Sequence, residues 1–402
     1  MPLDTGDTSF MLVATALVMI MTVGLAFFYG GLVSRKNVLA IMMQSYVSMG
    51  VSTILWVAVG YSLCFSGDVG GIIGNLDMAF LRGIEPTDLF GGADGTIPLL
   101  LFVAYQMMFA IITPALITGA FANRITFKAY LIFLVAWQIL VYYPFVHMIW
   151  GGGMLYEWGV LDFAGGIVVH ALAGMAALAS VIYVGKRGVE DAGAHNVPFV
   201  AIGAALLWFG WFGFNAGSEL AVDGVTAVAF INTQIAAAFA AITWLLLAWL
   251  YDGKPSFVEM LIGMIAGLAT ITPAAGFVSP QSAMLIGVAA GAVCYFAVVF
   301  RKKKGLDDAL DVWGVHGVGG ALGIIMLGVL ASESIGGQNG LYHGNQDFFM
   351  VQLAGLALAC VWAFAFTYGM LMMIDMVTPV RVSEEAEAAL DVTLHGESAY
   401  TD

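Results

Sequence analysis

Charge is what this 402-residue chain has least of: Asp, Glu, Lys and Arg make up 10% of it, against roughly 25% in an ordinary soluble domain. Bases are scarcer still, 13 Lys and Arg against 27 Asp and Glu, so the basic surface of a nucleic-acid binder is excluded. The 3 cysteines, Cys64, Cys294 and Cys360, all sit inside apolar runs, and neither a disulfide framework nor a zinc site is expected from them. No haem, quinone or metal ligand set and no nucleophile–base arrangement occurs, which disfavours an enzyme and leaves no cofactor to expect. An Asn-Pro-Ala pair, which would suggest an aquaporin-type channel, is also missing. Polar segments long enough for a soluble domain are absent, the longest being 68–94 and the tail after 378.

What fills the chain instead is apolar: 61% of residues are hydrophobic, and the mean hydropathy is +0.94. Charge-free stretches cover 8–34, 37–67, 95–123, 129–156, 163–185, 192–218, 224–251, 260–300, 312–332 and 348–374. A membrane-crossing helix needs roughly 20 apolar residues. Nine stretches are single-span length, and 260–300 is divided by Thr272-Pro273 through Ser279-Pro280, a turn signal. The expected fold is therefore an all-α polytopic membrane protein of eleven spans over residues 1–377, followed by a tail at 378–402.

An odd number of spans sets the termini on opposite sides. With the N-terminus outside, every Lys and Arg except Arg82 falls in an inner loop or the tail, a strong positive-inside bias. The tail is then cytoplasmic. Asp4 and Asp7, with no basic stretch before the first span, argue against a cleaved signal peptide. The same topology sends most loop acids outward, among them Asp68, Asp77, Glu157, Glu219 and Asp223. This is either an acid-adapted surface or a field that concentrates cations at the outer mouth.

Three echoes suggest an inverted repeat of spans 1–5 and 6–10, with an eleventh helix added. Ile112-Thr113-Pro114-Ala115 returns as Ile271-Thr272-Pro273-Ala274, and Phe27-Phe28-Tyr29-Gly30-Gly31 pairs with Gly213-Phe214-Asn215-Ala216-Gly217. Asp162 to His170 in span 5 pairs with Asp311 to His316 in span 10. Inverted repeats in transporters set the pathway at the repeat interface. Small residues such as Gly317, Gly319, Gly320 and Gly323 permit close helix approach.

Ionisable groups inside spans are costly and point to function. His170 and His316 admit three readings: a metal pair without a third ligand, two structural histidines, or neutral imidazoles lining a narrow pore. Asp162 and Asp311 stand where helix-start carboxylates cap backbone N–H groups, and Asp162 can also act electrostatically on a cation. Trp150 in His147-Met148-Ile149-Trp150-Gly151-Gly152-Gly153 ends span 4. In the run Trp208 to Ser218, Ser218 follows Phe214 by one helical turn. Ring faces beside a hydroxyl suit a small cation.

At these segments the sequence resembles the ammonium transporter family (Amt/MEP/Rh), from Phe27 to the tail. The resemblance rests on Phe27-Phe28-Tyr29-Gly30-Gly31-Leu32, the Trp150 segment, Leu161-Asp162-Phe163-Ala164-Gly165-Gly166, Gly210 to Ser218, and Asp311-Val312-Trp313-Gly314-Val315-His316-Gly317. It implies that Trp150 and Ser218, with Tyr105 where many relatives have phenylalanine, recruit ammonium from outside. It further implies that Phe109 and Phe214 are stacked rings closing the pore, Asp162 a structural carboxylate and His170 with His316 a twin-histidine pair. Keeping both Trp150 and Ser218 is similar to the Amt branch rather than the Rh branch. The family further implies a homotrimer in the plasma membrane. The tail, with Asp391, His395-Gly396-Glu397 and Tyr400, is similar to prokaryotic tails where the PII signal protein docks. Read from its residues alone, the tail is an acidic segment that could be disordered. The expected function is recruitment of ammonium, its deprotonation and conduction of ammonia past the two histidines, with or without a relayed proton. The alternative is an ammonium sensor signalling through PII or another cytoplasmic partner.

Overall fold

The structure, a computed structural model, describes residues 3–189 and 193–400. Eleven helices are long and apolar enough to cross a membrane: Thr5–Leu32, Val38–Phe65, Leu99–Ile117, Phe127–Glu157, Gly166–Val184, Val197–Glu219, Gly224–Asp252, Phe257–Ala274, Pro280–Lys304, Trp313–Leu330 and Gln346–Asp375. They are spans 1 to 11 below. No β-strand occurs among the described residues, which leaves the chain all-helical. Spans 8 and 9 are separate helices joined through Ala275–Ser279, as the Pro-Gly punctuation of 260–300 requires.

The helices start and stop for local reasons. Asp4 caps span 1 by accepting from the Gly6 and Asp7 N–H groups, and Asp223 opens span 7 with a capping box closed by Thr226. Gly253 and Gly305 end spans 7 and 9 in left-handed conformation. Spans 5 and 10 each begin with a wide π-helical turn, Gly166–Ala171 and Trp313–Gly317, and each turn contains a buried histidine. Such turns swing side chains off the regular helical register.

Span pairs that an inverted repeat makes equivalent pack alike. Spans 1 and 6 cross where Gly203 lies on the backbone of span 1: a Cβ there would stand 2.2 Å from the Phe28 nitrogen. Spans 5 and 10 cross at Gly174 and Gly317, where a Cβ on Gly174 would stand 2.0 Å from the Gly317 Cα. Neither crossing admits even alanine without moving backbone, so glycine sets how closely the two halves meet.

The two faces of the bundle differ in charge. One carries the N-terminus and most loop acids; we call it the acidic face. The other, the basic face, gathers the loops after spans 1, 3, 5 and 9 under the C-terminal tail. Arg124, fully buried, donates to the Gly185 and Ala120 carbonyls and lies 3.6 Å from Asp307. Asp307 also holds Arg187, at 2.8 Å.

The tail is docked on the basic face, with short helices at Glu384–Glu387 and Leu390–His395. Asp391 accepts from the Ala40 N–H at 2.8 Å, so a carboxylate some 350 residues away in sequence caps the first turn of span 2. Asn37 holds the same segment by donating to the Glu387 carbonyl and accepting from the Leu390 N–H. Val382, Ala386 and Leu390 bury a small apolar patch against Ala40. The Tyr400 hydroxyl lies 2.8 Å from His195 Nε2, and the Arg35 guanidinium lies over the Tyr400 ring. An acidic composition alone does not reveal this docking, because the contacts that order the tail are scattered along the chain.

Candidate functional site

Spans 3, 4 and 6 and the segment before span 5 surround an open vestibule of about 590 Å³ at the acidic face. Trp150, Phe109, Asp162 and Ser218 all line it. Below it lies a second, nearly closed chamber of about 10 Å³, lined by Phe214, Trp211, His170, His316 and apolar side chains of spans 1, 3 and 8. That volume is at the threshold for a single water molecule. Phe109 faces the vestibule and Phe214 the chamber, so this ring pair is the partition between them. The rings sit 4.4 Å apart with planes tilted by 35°. They are therefore in contact but not stacked in parallel, since tilting offsets the negative ring faces.

The rings continue as a column. Trp150 meets Phe109 edge-on with centroids 6.0 Å apart, Phe214 lies 6.1 Å from the His170 ring, and His170 lies 5.2 Å from His316. Trp211 stacks on His170 from the side at 5.5 Å, held by its indole N–H donating to Thr272 Oγ1 at 2.9 Å. His170 and His316 are 1% and 4% exposed, and their Nδ1 atoms approach to 3.2 Å. The close crossing of spans 5 and 10 makes this approach possible: a Cβ at Gly320 would stand 2.7 Å from the His170 Cβ. Among the described residues His170 Nε2 has no partner, and the His170 side chain lines the chamber. Among the described residues no three His, Cys, Asp or Glu side chains assemble as a metal-ligand set.

Asp162 is buried and its carboxylate accepts four backbone N–H groups. Oδ1 takes Gly165 and Gly166 at 2.9 and 2.6 Å, and Oδ2 takes Ile167 and Val168 at 2.7 and 3.1 Å. It therefore closes the N-terminal turn of span 5, the capping role expected of it. Burial pushes its carboxyl above the usual range, with the four N–H groups pulling the other way. Its backbone carbonyl accepts the Trp150 indole N–H at 2.8 Å, which fixes that ring at the vestibule wall.

For span 10 the expected cap is corrected. Asp311 does not cap it: its φ of 57° is left-handed and its side chain pairs with Arg301. Asp308 takes the role, with Oδ2 accepting the Trp313 N–H at 2.7 Å. Asp308 precedes His316 by eight residues, as Asp162 precedes His170, so the repeat aligns these two carboxylates. Burial first, and then the neighbouring Asp311, push the Asp308 carboxyl up to about 6, against the pull of Arg301.

Tyr105 is fully buried behind the wall and does not line the vestibule. Its hydroxyl lies 2.9 and 3.0 Å from the Gly213 and Phe214 carbonyls and 3.2 Å from Ser218 Oγ. Ser218 itself donates to the Phe214 carbonyl at 2.8 Å, leaving its oxygen free to accept. Trp211, Gln106 and Glu219 also line these cavities, and sequence reasoning assigned none of them a role there. Trp211 was detectable, being three residues before Phe214 and seven before Ser218 on one helical face. Gln106 and Glu219 carry no such signal.

The Ammonium Transporter Family profile matches residues 9–400. An ammonium transporter of Bacillus subtilis (strain 168) is 46% identical, covering 100% of both chains. The solved structure of Saccharomyces cerevisiae Mep2 superposes with a TM-score of 0.89 at 32% identity, covering 95% of this chain and 88% of that one. A solved sensor Amt protein gives a TM-score of 0.89 at 28% identity, covering 97% and 98%.

Proposed function

Because the chain belongs to the ammonium transporter family, a multi-pass membrane protein and ammonium transporter rather than an enzyme, we propose how its cavities carry out that transport. The acidic face is the outer one in the plasma membrane, as the positive-inside distribution of bases supports. Ammonium seats in the vestibule against the Trp150 face and the free oxygen lobes of Ser218, by cation–π attraction and a hydrogen bond. Tyr105 acts from behind by holding Ser218 and the last turn of span 6.

The partition decides what passes. Potassium and ammonium share charge and similar size, and a bare ion entering an apolar chamber pays several kcal/mol in lost hydration. Ammonium alone can shed a proton. Deprotonated at the Phe109–Phe214 partition, it crosses as neutral ammonia, hydrogen-bonding to His170 and His316 in a chamber too small to hydrate an ion. The proton returns to the vestibule or follows along the imidazoles. The observation carrying this reading is the ring column that joins an open vestibule to two contacting, buried imidazoles.

Currents of the purified protein on a solid-supported membrane test it. Ammonium should evoke a current that potassium does not, and His170→Leu or His316→Leu should abolish the current or its selectivity. Unchanged ammonium-specific current in both variants overturns the histidine route. A sensor reading draws on the likeness to the solved sensor Amt protein; vesicles showing no ammonium flux would favour it. A homotrimer and docking of a PII-type protein at the basic face complete the proposal, the latter supported by the docked tail.

A further inference from the structure

The vestibule holds two polar groups that the Trp150–Ser218 seat leaves unused. Glu219 follows Ser218 in the short turn Gly217–Glu219 and lines the same cavity. The turn ends at Leu220 in a left-handed conformation, φ 61°, which side-chain-bearing residues rarely adopt. The neighbouring acids are engaged in structure: Asp223 caps span 7 and Asp7 accepts the Val222 N–H. Among the described residues the half-buried Glu219 carboxylate has neither a hydrogen-bond donor nor a base as partner. From span 3, Gln106 lines the same cavity, is 9% exposed, and has a buried amide oxygen without a partner. Buried oxygens left unsatisfied call for a donor.

An ammonium ion offers four N–H donors. The Trp150 ring and Ser218 oxygen engage part of it, and acceptors are lacking for the rest. We infer that Glu219 and Gln106 form an anionic half-site of the vestibule, which draws the ammonium ion in and sets its apparent affinity. The inference rests on the proposed vestibule seat and extends it: Glu219 supplies charge, Gln106 supplies an uncharged acceptor once its enclosed amide turns toward the ion, and neither takes part in passage beyond the partition. A half-buried carboxylate with no base beside it is ionised most readily when a cation enters the cavity, where low-dielectric walls weaken screening.

Half-saturating ammonium concentrations in proteoliposome currents decide this. Glu219→Gln should raise that concentration about three- to tenfold, the scale of one unit charge acting through the water-like dielectric of an open vestibule, with a much smaller change in maximal current. Glu219→Lys should raise it further, Glu219→Asp should stay near the parent, and the parent's value should respond more to ionic strength than that of Glu219→Gln. Gln106→Leu should raise it by a smaller factor. The half-site is overturned if Glu219→Gln matches the parent in half-saturation and salt response while Ser218→Ala shifts, or if Glu219→Asp shifts as much as Glu219→Gln. A parent protein with no ammonium current overturns the vestibule reading together with this inference.

Discussion

The two mouths of this bundle are reached through equivalent helices, span 5 at the acidic face and span 10 at the basic face, yet they are finished in opposite ways. At the acidic mouth the helix-start carboxylate, Asp162, is saturated by four N–H groups and its surroundings stand open as a vestibule. At the basic mouth its counterpart Asp308 holds Trp313 with one oxygen and leaves the other without a partner. There, Arg301–Asp311, Arg187–Asp307 and the tail cover the loops. The fold repeats, but the polar finish does not.

Removing the carboxylates should separate the mouths most sharply. Asp162→Ala strands four N–H groups and loosens the turn whose Asp162 carbonyl holds Trp150, so we expect loss of current and destabilisation of at least about 3 kcal/mol, at the usual worth of charge-assisted bonds. Asp308→Ala, losing the bond to Trp313 and a poorly satisfied buried charge, should cost about 1 kcal/mol or less. Thermal unfolding in detergent compares them; equal losses would break the asymmetry. Trp150→Leu comes next, raising half-saturating ammonium about tenfold, the worth of roughly 1.4 kcal/mol of cation–π attraction in a partly desolvated seat.

The basic mouth offers a subtler test by pH. The folded Asp308 carboxyl sits near 6, above its ordinary 3.8. Its contribution to stability is therefore fully present below about pH 3.8 and is lost as pH rises through about 6. Asp308→Asn keeps an acceptor for Trp313 and removes the titration. Its unfolding temperature should gain on the parent's between pH 4 and 7, and a constant difference would refute the assignment. The smallest effect on transport is expected from Asp391→Ala. It uncaps span 2 at a cost of about 1 kcal/mol and should speed proteolysis of the tail while changing ammonium current less than twofold.

The spans were legible because a bilayer demands long uncharged stretches, and the two imidazoles because an ionisable group within a span is costly and points to function. Their contact was legible only through the repeat, which makes His170 and His316 equivalent without giving a distance. The span 10 cap was misread because Asp308 and Asp311 occupy one loop, three residues apart, and a left-handed turn at Asp311 decides which faces the helix. The eight-residue spacing shared with Asp162 and His170 was the available clue. Tyr105 was read as a binding residue, but its orientation depends on span 6 carbonyls far away in sequence. Glu219 was visible only as one acid among many, since being unpaired is a property of its neighbours rather than of the residue.

The 3.2 Å approach of His170 Nδ1 and His316 Nδ1 leaves room for a single hydrogen between two neutral rings. One ring must then donate and the other accept, so the pair has a direction although the surrounding fold is nearly symmetric. The donor ring keeps a bare Nε2 and the acceptor ring a protonated one. A proton taken up at the bare end and released at the far end leaves the pair reversed, like a turnstile that must swing back before admitting the next traveller the same way. Ammonia passing as an intact molecule leaves no such record. The pair thus remembers a proton and forgets an ammonia molecule.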